Sequence, residues 1–126
     1  MPTPKEPKRQ TSLDTLEDYV AARVRRILAA MQARGYDAVA YEAARTEERQ
    51  RWLYGVGRTH SLTRKPVTWT LHSLHIPRNG GKGKAVDIIS KSRGWNWPEF
   101  YDALAEEAKK EGMHPIDVER CHIQWG

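Results

Sequence analysis

The sequence predicts an α+β fold, in which helices pack on a small, mainly antiparallel sheet. Three stretches repeat apolar residues at helical spacing, and four shorter stretches are rich in strand-forming residues. Their order along the chain is helix, strand, helix, strands, helix, strand. The chain has 126 residues, of which 39% are apolar and 29% are charged, and this is enough for one core and one domain.

The three predicted helices are bounded by capping residues and by glycines. The first covers residues 12–35, with a Ser or Asp cap and apolar residues at steps of three and four. The second covers residues 46–57, from a threonine cap to a glycine. The third covers residues 97–112 and is entered through a Trp-Pro pair. The first of these helices is amphipathic, with an apolar stripe opposite basic residues.

The predicted strands are four short segments of alternating or continuous apolar sequence. They are "YDAVAYEA" at residues 36–43, "KPVTWTL" at 65–71, "KAVDII" at 84–89 and "CHIQW" at 121–125. Their β-branched and aromatic residues favour extended backbone. Because they fall between helices and at the end of the chain, they predict a small sheet.

The first residues of the chain differ in composition from the rest. Residues 1–11 carry charge and three prolines but no apolar run, so we expect a disordered lead-in, followed by a single domain over residues 12–126. They resemble neither a signal peptide nor an anchor, and no other stretch could span a bilayer. We therefore expect no stable membrane insertion. The single cysteine, Cys121, excludes an intrachain disulfide.

The charge of the chain favours an anionic partner. Lysine and arginine exceed aspartate and glutamate by 21 to 16, which gives a formal net charge of +5. Nucleic acid, an acidic membrane and a bacterial cell wall would all be attracted to this charge. The charge alone does not choose among them.

Two histidines and two carboxylates could form a catalytic metal site. His75 precedes the predicted strand that carries Asp87, and His122 lies in the terminal strand, three residues after Glu119. Two histidines and one carboxylate, with the fourth position left to water, are typical of a catalytic zinc centre. A further carboxylate beside the metal would act as the general base. These residues could meet across neighbouring strands.

Other residues could replace members of this set. His72 and His75 form an H-x-x-H pair, so either could be the ligand. His114 and Asp117 lie just before the terminal motif and could supply its histidine or its carboxylate. Cys121 could be a rival ligand, although in an extended segment its side chain points away from that of the next residue. Spacing alone leaves these alternatives open.

Four motifs together resemble a known family. "SLH" followed by "GKAVD", with "ERCHIQW" at the end and "ARTEERQRWLYGVGR" upstream, is similar to the zinc D-alanyl-D-alanine carboxypeptidase and L-alanyl-D-glutamate endopeptidase family of peptidoglycan hydrolases. The resemblance covers residues 36–125, and the segment "LYGVGR" resembles the phage endolysin branch. It implies the fold that this family shares with Hedgehog signalling domains. It also implies a Ser-x-His-x-x-Gly-x-Ala-x-Asp motif and an acid-x-x-His motif.

The resemblance assigns a role to each matching residue. It makes His75, Asp87 and His122 the ligands of one Zn²⁺, because these positions match the two motifs. Glu119 matches the catalytic carboxylate, and Arg45 matches the arginine that holds the substrate or steadies the developing oxyanion. Three further residues match supporting positions, namely Ser73, Gln50 and Gln124. In a simpler interpretation, Glu119 pairs with Arg120, and Arg45 pairs with Glu42 or Glu48.

The resemblance also implies an activity and a partner. We expect a monomeric zinc peptidase that cleaves the peptide stem of bacterial cell-wall peptidoglycan. An L-alanyl-D-glutamate endopeptidase of the phage endolysin type is the first expectation, and a D-alanyl-D-alanine carboxypeptidase is the alternative. Such an enzyme would be made in the bacterial cytoplasm and would act on the cell wall after release, for example by a phage holin. We expect no nucleic-acid partner.

The sequence departs from the family pattern at two places. In the family, the aspartate follows the histidine by seven residues, whereas Asp87 follows His75 by twelve, so five extra residues lie within the segment 76–82. This segment contains Pro, Asn and Gly, which favour a turn, and a longer loop costs little closure entropy. The second departure is Cys121, where the family often has proline.

Two other classes of protein fit part of the sequence. A small nucleic-acid-binding module would explain the net charge and the basic residues Arg23, Arg25 and Arg26 of the first helix. It would leave the histidines and carboxylates of the motifs as coincidence. A metal-binding relative without activity would keep the metal ligands but lack catalysis.

Overall fold

The computed structural model describes residues 4–68, 73–77, 81–116 and 119–126. Within these ranges, the chain forms three α-helices and a four-stranded antiparallel sheet, which confirms the predicted α+β class. The helices and strands are, in chain order, α1 (Asp18–Ala33), β1 (Ala38–Glu42), α2 (Glu47–Gly55), β2 (Ala85–Ser90), α3 (Pro98–Lys110), β3 (His114–Ile116) and β4 (Glu119–Gln124). No helix in this part of the chain is both long and apolar enough to cross a membrane.

The sheet has the strand order β1-β2-β4-β3, so β2 and β4 are its central strands. All three neighbouring pairs are antiparallel. Val86 and Ile88 on β2 are buried in the hydrophobic core beneath the sheet. Because side chains alternate along a strand, Asp87 between them points to the opposite face. The sheet therefore separates an apolar side from a polar side.

The apolar side of the sheet is covered by α1 and α3. Both helices contribute buried residues at helical spacing to one continuous core. From α1 and α3 the largest fully buried of these are Ile27, Met31, Phe100 and Leu104. Burying side chains of this kind stabilises the fold by about 1.5–3 kcal/mol each. The core therefore holds the central strands in place and fixes the polar face above them.

The first helix begins later than the sequence predicts. Residues 13–15 form a 3-10 turn, capped by Ser12, whose hydroxyl accepts a hydrogen bond from the Asp14 amide at 3.2 Å. The chain then extends, because Leu16 bridges to Gly83 and the Glu17 amide donates to the Gly83 carbonyl at 2.9 Å. Because of this long-range pairing, the helix begins only at Asp18. The local sequence does not indicate the pairing.

Two strand predictions differ from the structure. Strand β3 was not expected, since it has three residues and contains Pro115, which is tolerated there because β3 is an edge strand. Residues 65–68 form no strand, and the remainder of the segment predicted at 65–71 lies outside the described residues. The other three predicted strands correspond to β1, β2 and β4.

The N-terminal segment 4–10 has no regular secondary structure but contacts the body of the domain. The indole of Trp52 donates to the Pro4 carbonyl at 2.7 Å, and Arg49 Nη1 donates to the Pro7 carbonyl at 2.8 Å. The amide of Ala43 donates to the Gln10 carbonyl at 2.8 Å. The predicted division into a disordered lead-in and a domain from residue 12 stays a prediction.

Asp37, just before β1, should make the stability of the fold depend on pH. Its carboxylate accepts hydrogen bonds from the Ser90 hydroxyl at 2.5 Å and the Ser92 amide at 2.8 Å, and these lower its pKa from 3.8 to about 2. A carboxyl group with a lowered pKa stabilises the fold above pH 3.8, and this contribution disappears as the pH falls through 2.

We therefore expect Asp37→Asn to lower the melting temperature at pH 7. The difference from wild type should shrink below pH 4 and vanish only below pH 2, where both side chains are uncharged. Thermal unfolding followed by circular dichroism at several pH values measures this difference. A gap that is constant between pH 7 and pH 2 would contradict the role of the charge.

A candidate metal centre beside a cleft

Three polar residues lie in one row across the polar face of the sheet. Glu42 of β1 is paired with Asp87 of β2, and Asp87 is paired with His122 of β4. A register irregularity between Ala40 and Glu42 brings Glu42 into this row. Directly paired residues on neighbouring strands project from the same face, so all three side chains can meet.

His75 reaches the same place from the segment 73–77. Its carbonyl accepts a hydrogen bond from the Arg45 amide at 2.7 Å, and the neighbouring Leu74 carbonyl accepts from the Lys84 amide at 2.9 Å. The Ser73 hydroxyl accepts from the His75 amide at 3.2 Å, which fixes the turn before the imidazole. His75 is 1% exposed. The five extra residues of the insertion therefore leave His75 beside β2.

The structure brings one donor atom from each of three side chains together. His75 Nε2 lies 3.2 Å from Asp87 Oδ1 and 3.1 Å from His122 Nδ1, and His122 Nδ1 lies 3.4 Å from Asp87 Oδ1. Two ligands bound tetrahedrally to zinc at about 2.0–2.1 Å are about 3.3 Å apart. These three residues form a candidate metal centre, and the separations fit a single zinc ion.

A hydrogen bond on the far side of each imidazole determines which ring nitrogen carries the proton and which has a free lone pair. His75 Nδ1 donates to the Ala43 carbonyl at 2.6 Å, and His122 Nε2 donates to the Gln124 side-chain oxygen at 2.8 Å. The lone pairs of His75 Nε2 and His122 Nδ1 then both point toward Asp87. Three acceptors facing one another repel unless a cation lies between them. This donor set therefore fits a metal ion, and the hydrogen bond to Gln124 fixes the ring orientation of one candidate ligand, His122.

The ionisation of Asp87 and the ionisation of His122 depend on each other. Burial raises the pKa of Asp87, but the charges and hydrogen bonds of His75 and His122 outweigh it, so its pKa lies below the ordinary value. Burial lowers the pKa of His122, but its hydrogen bond to Asp87 outweighs that, so its pKa is raised. The Asp87 carboxylate thus stays charged and attracts a cation, which is either a proton or a metal ion.

Glu119 lies next to this trio but is less buried. Its Oε2 atom is 3.9 Å from His122 Nδ1, and its side chain is 30% exposed. Residues three apart in a regular strand point to opposite faces, but Glu119 is the first residue of β4, where the register with β3 is irregular. A partly exposed carboxylate in this position can reach a water molecule beside the metal centre.

Arg45 is held against the centre by a buried network. Its Nη2 atom donates to Glu42 Oε1 at 2.8 Å and lies 3.4 Å from Asp87 Oδ2, and its Nη1 atom donates to Gln50 Oε1 at 2.6 Å. Gln50 in turn donates to the Thr68 hydroxyl at 3.2 Å. Arg45 therefore forms an ion pair with Glu42 and at the same time lies against the candidate centre.

Glu42 and Arg49 belong to the site, although the sequence did not reveal their role. Glu42 is 2% exposed, and its second oxygen accepts from Arg49 Nε. Burial lowers the pKa of Arg49, but the bond to Glu42 outweighs it and raises the pKa. An acidic residue at the end of an apolar strand was the only available signal. One buried carboxylate thus positions two buried arginines.

This arrangement predicts a stability cost for Glu42→Gln of about 2 kcal/mol, because hydrogen bonds to charged groups contribute about 1.5–3 kcal/mol and the amide retains one acceptor. Urea unfolding of the metal-free protein measures it. The matched control is Glu48→Gln, since Glu48 is exposed on α2 and should be replaceable without loss. Equal stability of the two variants would contradict the network.

The alternative ligands that the sequence allowed lie in different places. His114 is exposed on the edge strand β3, on the far side of β4 from Asp87. His72 and Asp117 lie outside the described residues. Cys121 packs partly against the core, and burial, followed by the charge of Asp87, raises the pKa of its thiol, which keeps the thiol protonated. Among the described residues, the group whose donor atoms converge comprises His75, Asp87 and His122 and does not include Cys121.

A cleft of about 600 Å³ opens beside the candidate centre. Asp87, Glu119 and Arg45 lie on its wall, and aromatic residues lie opposite or alongside, namely Tyr41, Trp95 and Tyr101. Trp95 is 54% exposed and is fixed by an edge contact with Tyr41 at 5.0 Å between ring centroids. The cleft is large enough for a small peptide segment.

No protein-family model matches the chain, and no curated protein sequence matches it significantly. Solved structures do share its fold. VanYB in complex with D-alanine-D-alanine is 18% identical, with a TM-score of 0.67, over 98% of this chain and 81% of that chain. The Serratia marcescens L-Ala D-Glu endopeptidase ChiX is 21% identical, with a TM-score of 0.59, over 94% of this chain and 90% of that chain.

A third structure is a mutant of the vancomycin-resistance D,D-pentapeptidase VanY from the VanB-type cassette, in complex with Zn(II). It is 17% identical, with a TM-score of 0.66, over 87% of this chain and 72% of that chain. At such identities the similarity establishes the fold alone. The chain therefore has the fold of these DD-peptidase-like proteins, as predicted, and its place in a phage branch stays a prediction.

Proposed function

We propose that the chain is a zinc-dependent peptidase that hydrolyses an amide bond in the peptide stem of peptidoglycan. The observation that carries this proposal is the convergence of His75, Asp87 and His122 beside a cleft, with the Glu119 carboxylate 3.9 Å from His122 Nδ1. Proteins of the same fold include one in complex with Zn(II), one in complex with D-alanine-D-alanine and one L-Ala D-Glu endopeptidase. They support both the metal and the substrate class.

The residues of the chain divide the work of hydrolysis among them. When bound, zinc supplies Lewis-acid chemistry, since it lowers the pKa of a bound water to about 7 and polarises a carbonyl group. Glu119 accepts the proton of the attacking water and then donates it to the leaving amine. Arg45, with its guanidinium fixed by Glu42, provides positive charge for the substrate carbonyl as negative charge develops on its oxygen.

We favour cleavage of the L-alanyl-D-glutamate bond, with a D,D-carboxypeptidase as the alternative. The support for the endopeptidase is the resemblance of "LYGVGR" to phage enzymes and the 90% coverage of ChiX by this chain. Action as a phage-type endolysin, as a monomer released to the cell wall, belongs to the same proposal and rests on the motif resemblance.

Digestion of purified muropeptides, followed by mass spectrometry, tests the proposal. A new N-terminal D-glutamate identifies the endopeptidase, and loss of a terminal D-alanine identifies the carboxypeptidase. Chelator-treated protein is the control, because removal of the metal should stop either reaction. Muropeptides that stay intact with zinc-loaded protein would overturn the proposal.

The alternative of a nucleic-acid-binding module receives little support from the first helix. Arg23 donates to the Glu111 carbonyl at 2.8 Å and lies over the ring of Trp125, while Arg26 pairs with the Glu111 carboxylate at 2.8 Å. Arg25 pairs with Asp14 at 3.3 Å. These arginines are therefore used within the fold. Tight, salt-dependent DNA binding by protein that holds no zinc would favour the module.

A further inference from the structure

We propose that Arg64 binds a carboxylate of the peptide stem and thereby selects anionic substrates; this inference rests on the proposed function. Four arginines line the cleft, namely Arg45, Arg49, Arg64 and Arg120. These arginines differ in whether a carboxylate of the described residues pairs with them, and this comparison points to Arg64 as the one that can receive a substrate carboxylate.

The two buried arginines of the cleft are already neutralised. Arg45 forms an ion pair with Glu42 at 2.8 Å. Arg49 binds the other oxygen of Glu42 and also pairs with Glu6 at 3.4 Å. Because these ion pairs are buried or partly buried, breaking them to receive a substrate carboxylate would be costly. Neither arginine is therefore free to form a new ion pair with a substrate carboxylate, although Arg45 can still face the substrate carbonyl.

The two exposed arginines of the cleft are not equivalent. Arg120 forms an ion pair with Asp102 on α3. Arg64 is exposed and forms no ion pair with any residue in the part of the chain that the structure describes. Among the arginines of the cleft it alone has no carboxylate partner there. A substrate carboxylate would supply one, and the planar guanidinium suits a bidentate contact.

Arg64 is placed by a compact turn after α2. Gly57 has φ +76°, and a Cβ atom there would lie 2.6 Å from the Arg64 carbonyl oxygen, so only glycine allows the two backbones to approach. The Gly57 amide donates to the His60 carbonyl, and the Arg64 amide donates to the Ser61 carbonyl, each at 2.9 Å. Arg64 thus extends from a hydrogen-bonded backbone and lines the same cleft as the apolar residue Val67.

The chemistry of the substrate calls for such a cation. A peptide stem carries carboxylates, on its D-glutamate and at its C-terminal end, whereas Asp87 and Glu119 line the same cleft. The charge of Asp87 is offset by Arg45 and would be offset further by zinc, but the Glu119 carboxylate would repel an anionic peptide unless a free positive charge lies nearby. Arg64 supplies this charge and has no assigned part in the hydrolysis itself, so we expect it to act in binding.

The test compares Arg64→Ala and Arg64→Lys with Lys65→Ala, a matched control. Lys65 is the next residue in the same loop, is exposed, carries the same charge and does not line the cleft. Each zinc-loaded variant is assayed with three stem peptides: one with all carboxylates free, one amidated at D-glutamate and one amidated at the C-terminus. Equilibrium binding of the same peptides is measured by calorimetry in the Glu119→Gln background.

With the peptide whose carboxylates are all free, we expect Arg64→Ala to lower both the binding affinity and kcat/KM roughly tenfold and to leave kcat little changed. The values for Arg64→Lys should lie between those of Arg64→Ala and wild type. The loss should vanish with one amidated peptide, and this peptide identifies the carboxylate. Losses equal to those of Lys65→Ala, or equal for all three peptides, would overturn the role of Arg64 while the proposed function stands. A wild-type protein that cleaves no peptide would overturn both.

Discussion

Replacing His122 by alanine is expected to abolish zinc binding and amide hydrolysis together. His122 Nδ1 lies 3.1 Å from His75 Nε2 and 3.4 Å from Asp87 Oδ1, so its loss leaves two donors, which are too few for a tightly held zinc. Metal analysis of purified protein should give one zinc per chain for wild type and none for the variant. The chelated wild type should lose activity and regain it with added zinc.

Thermal unfolding separates a lost ligand from a lost fold. Zinc at about 1,000 times its dissociation constant stabilises a folded protein by about 4 kcal/mol, which corresponds to a rise in melting temperature of roughly 15 °C for a chain of this size. Wild type should show this rise, and His122→Ala should unfold cooperatively but without it. If the alanine variant does not fold, His122→Gln replaces it.

The matched control for this experiment is His114→Ala. His114 is exposed on β3 and pairs across the strand with Gln124, outside the trio of donors. The control should therefore keep one zinc per chain and full activity. Retention of zinc by the His122 variants and its loss from His114→Ala would transfer the ligand role to His114, which the sequence alone allowed.

Short motifs in the sequence were enough to name the three candidate ligands that the structure brings together, and their role as ligands stays a prediction. The motifs are far apart in the chain, and the sheet brings them together, since Asp87 and His122 are direct partners on β2 and β4. The insertion after His75 leaves His75 close to Asp87, because backbone hydrogen bonds hold both of its ends. The His75 carbonyl accepts from the Arg45 amide, and the Lys84 amide donates to the Leu74 carbonyl. Short motifs survive such an insertion when backbone pairing fixes both ends.

The support around the ligands could not be predicted in the same way. The burial of Glu42 depends on a register irregularity in β1 and on the opposite position of Asp87, and neither is encoded in nearby residues. The late start of α1 depends on the bridge between Leu16 and Gly83. In both cases a long-range contact overrides local propensity. The buried Glu42 also holds Arg45, whose Nη2 atom lies 3.4 Å from Asp87 Oδ2 at the candidate metal centre.

Glu119→Gln is expected to lower kcat/KM by roughly 10²–10⁴-fold while leaving the zinc content unchanged. The amide has nearly the shape of the carboxylate but cannot accept the proton of the attacking water. Because Glu119 Oε2 is 3.9 Å from His122 Nδ1 and is partly exposed, the substitution removes no donor from the trio His75, Asp87 and His122. Zinc per chain and the zinc-dependent rise in melting temperature should match wild type.

The matched control for Glu119→Gln is Glu106→Gln, which removes the same charge from an exposed ion pair with Arg34 at 3.1 Å. Its activity should equal that of wild type. If wild type binds zinc, cleaves no muropeptide and is indistinguishable from Glu119→Gln, the chain is a metal-binding relative without activity, because the metal centre would then be complete and the base without function.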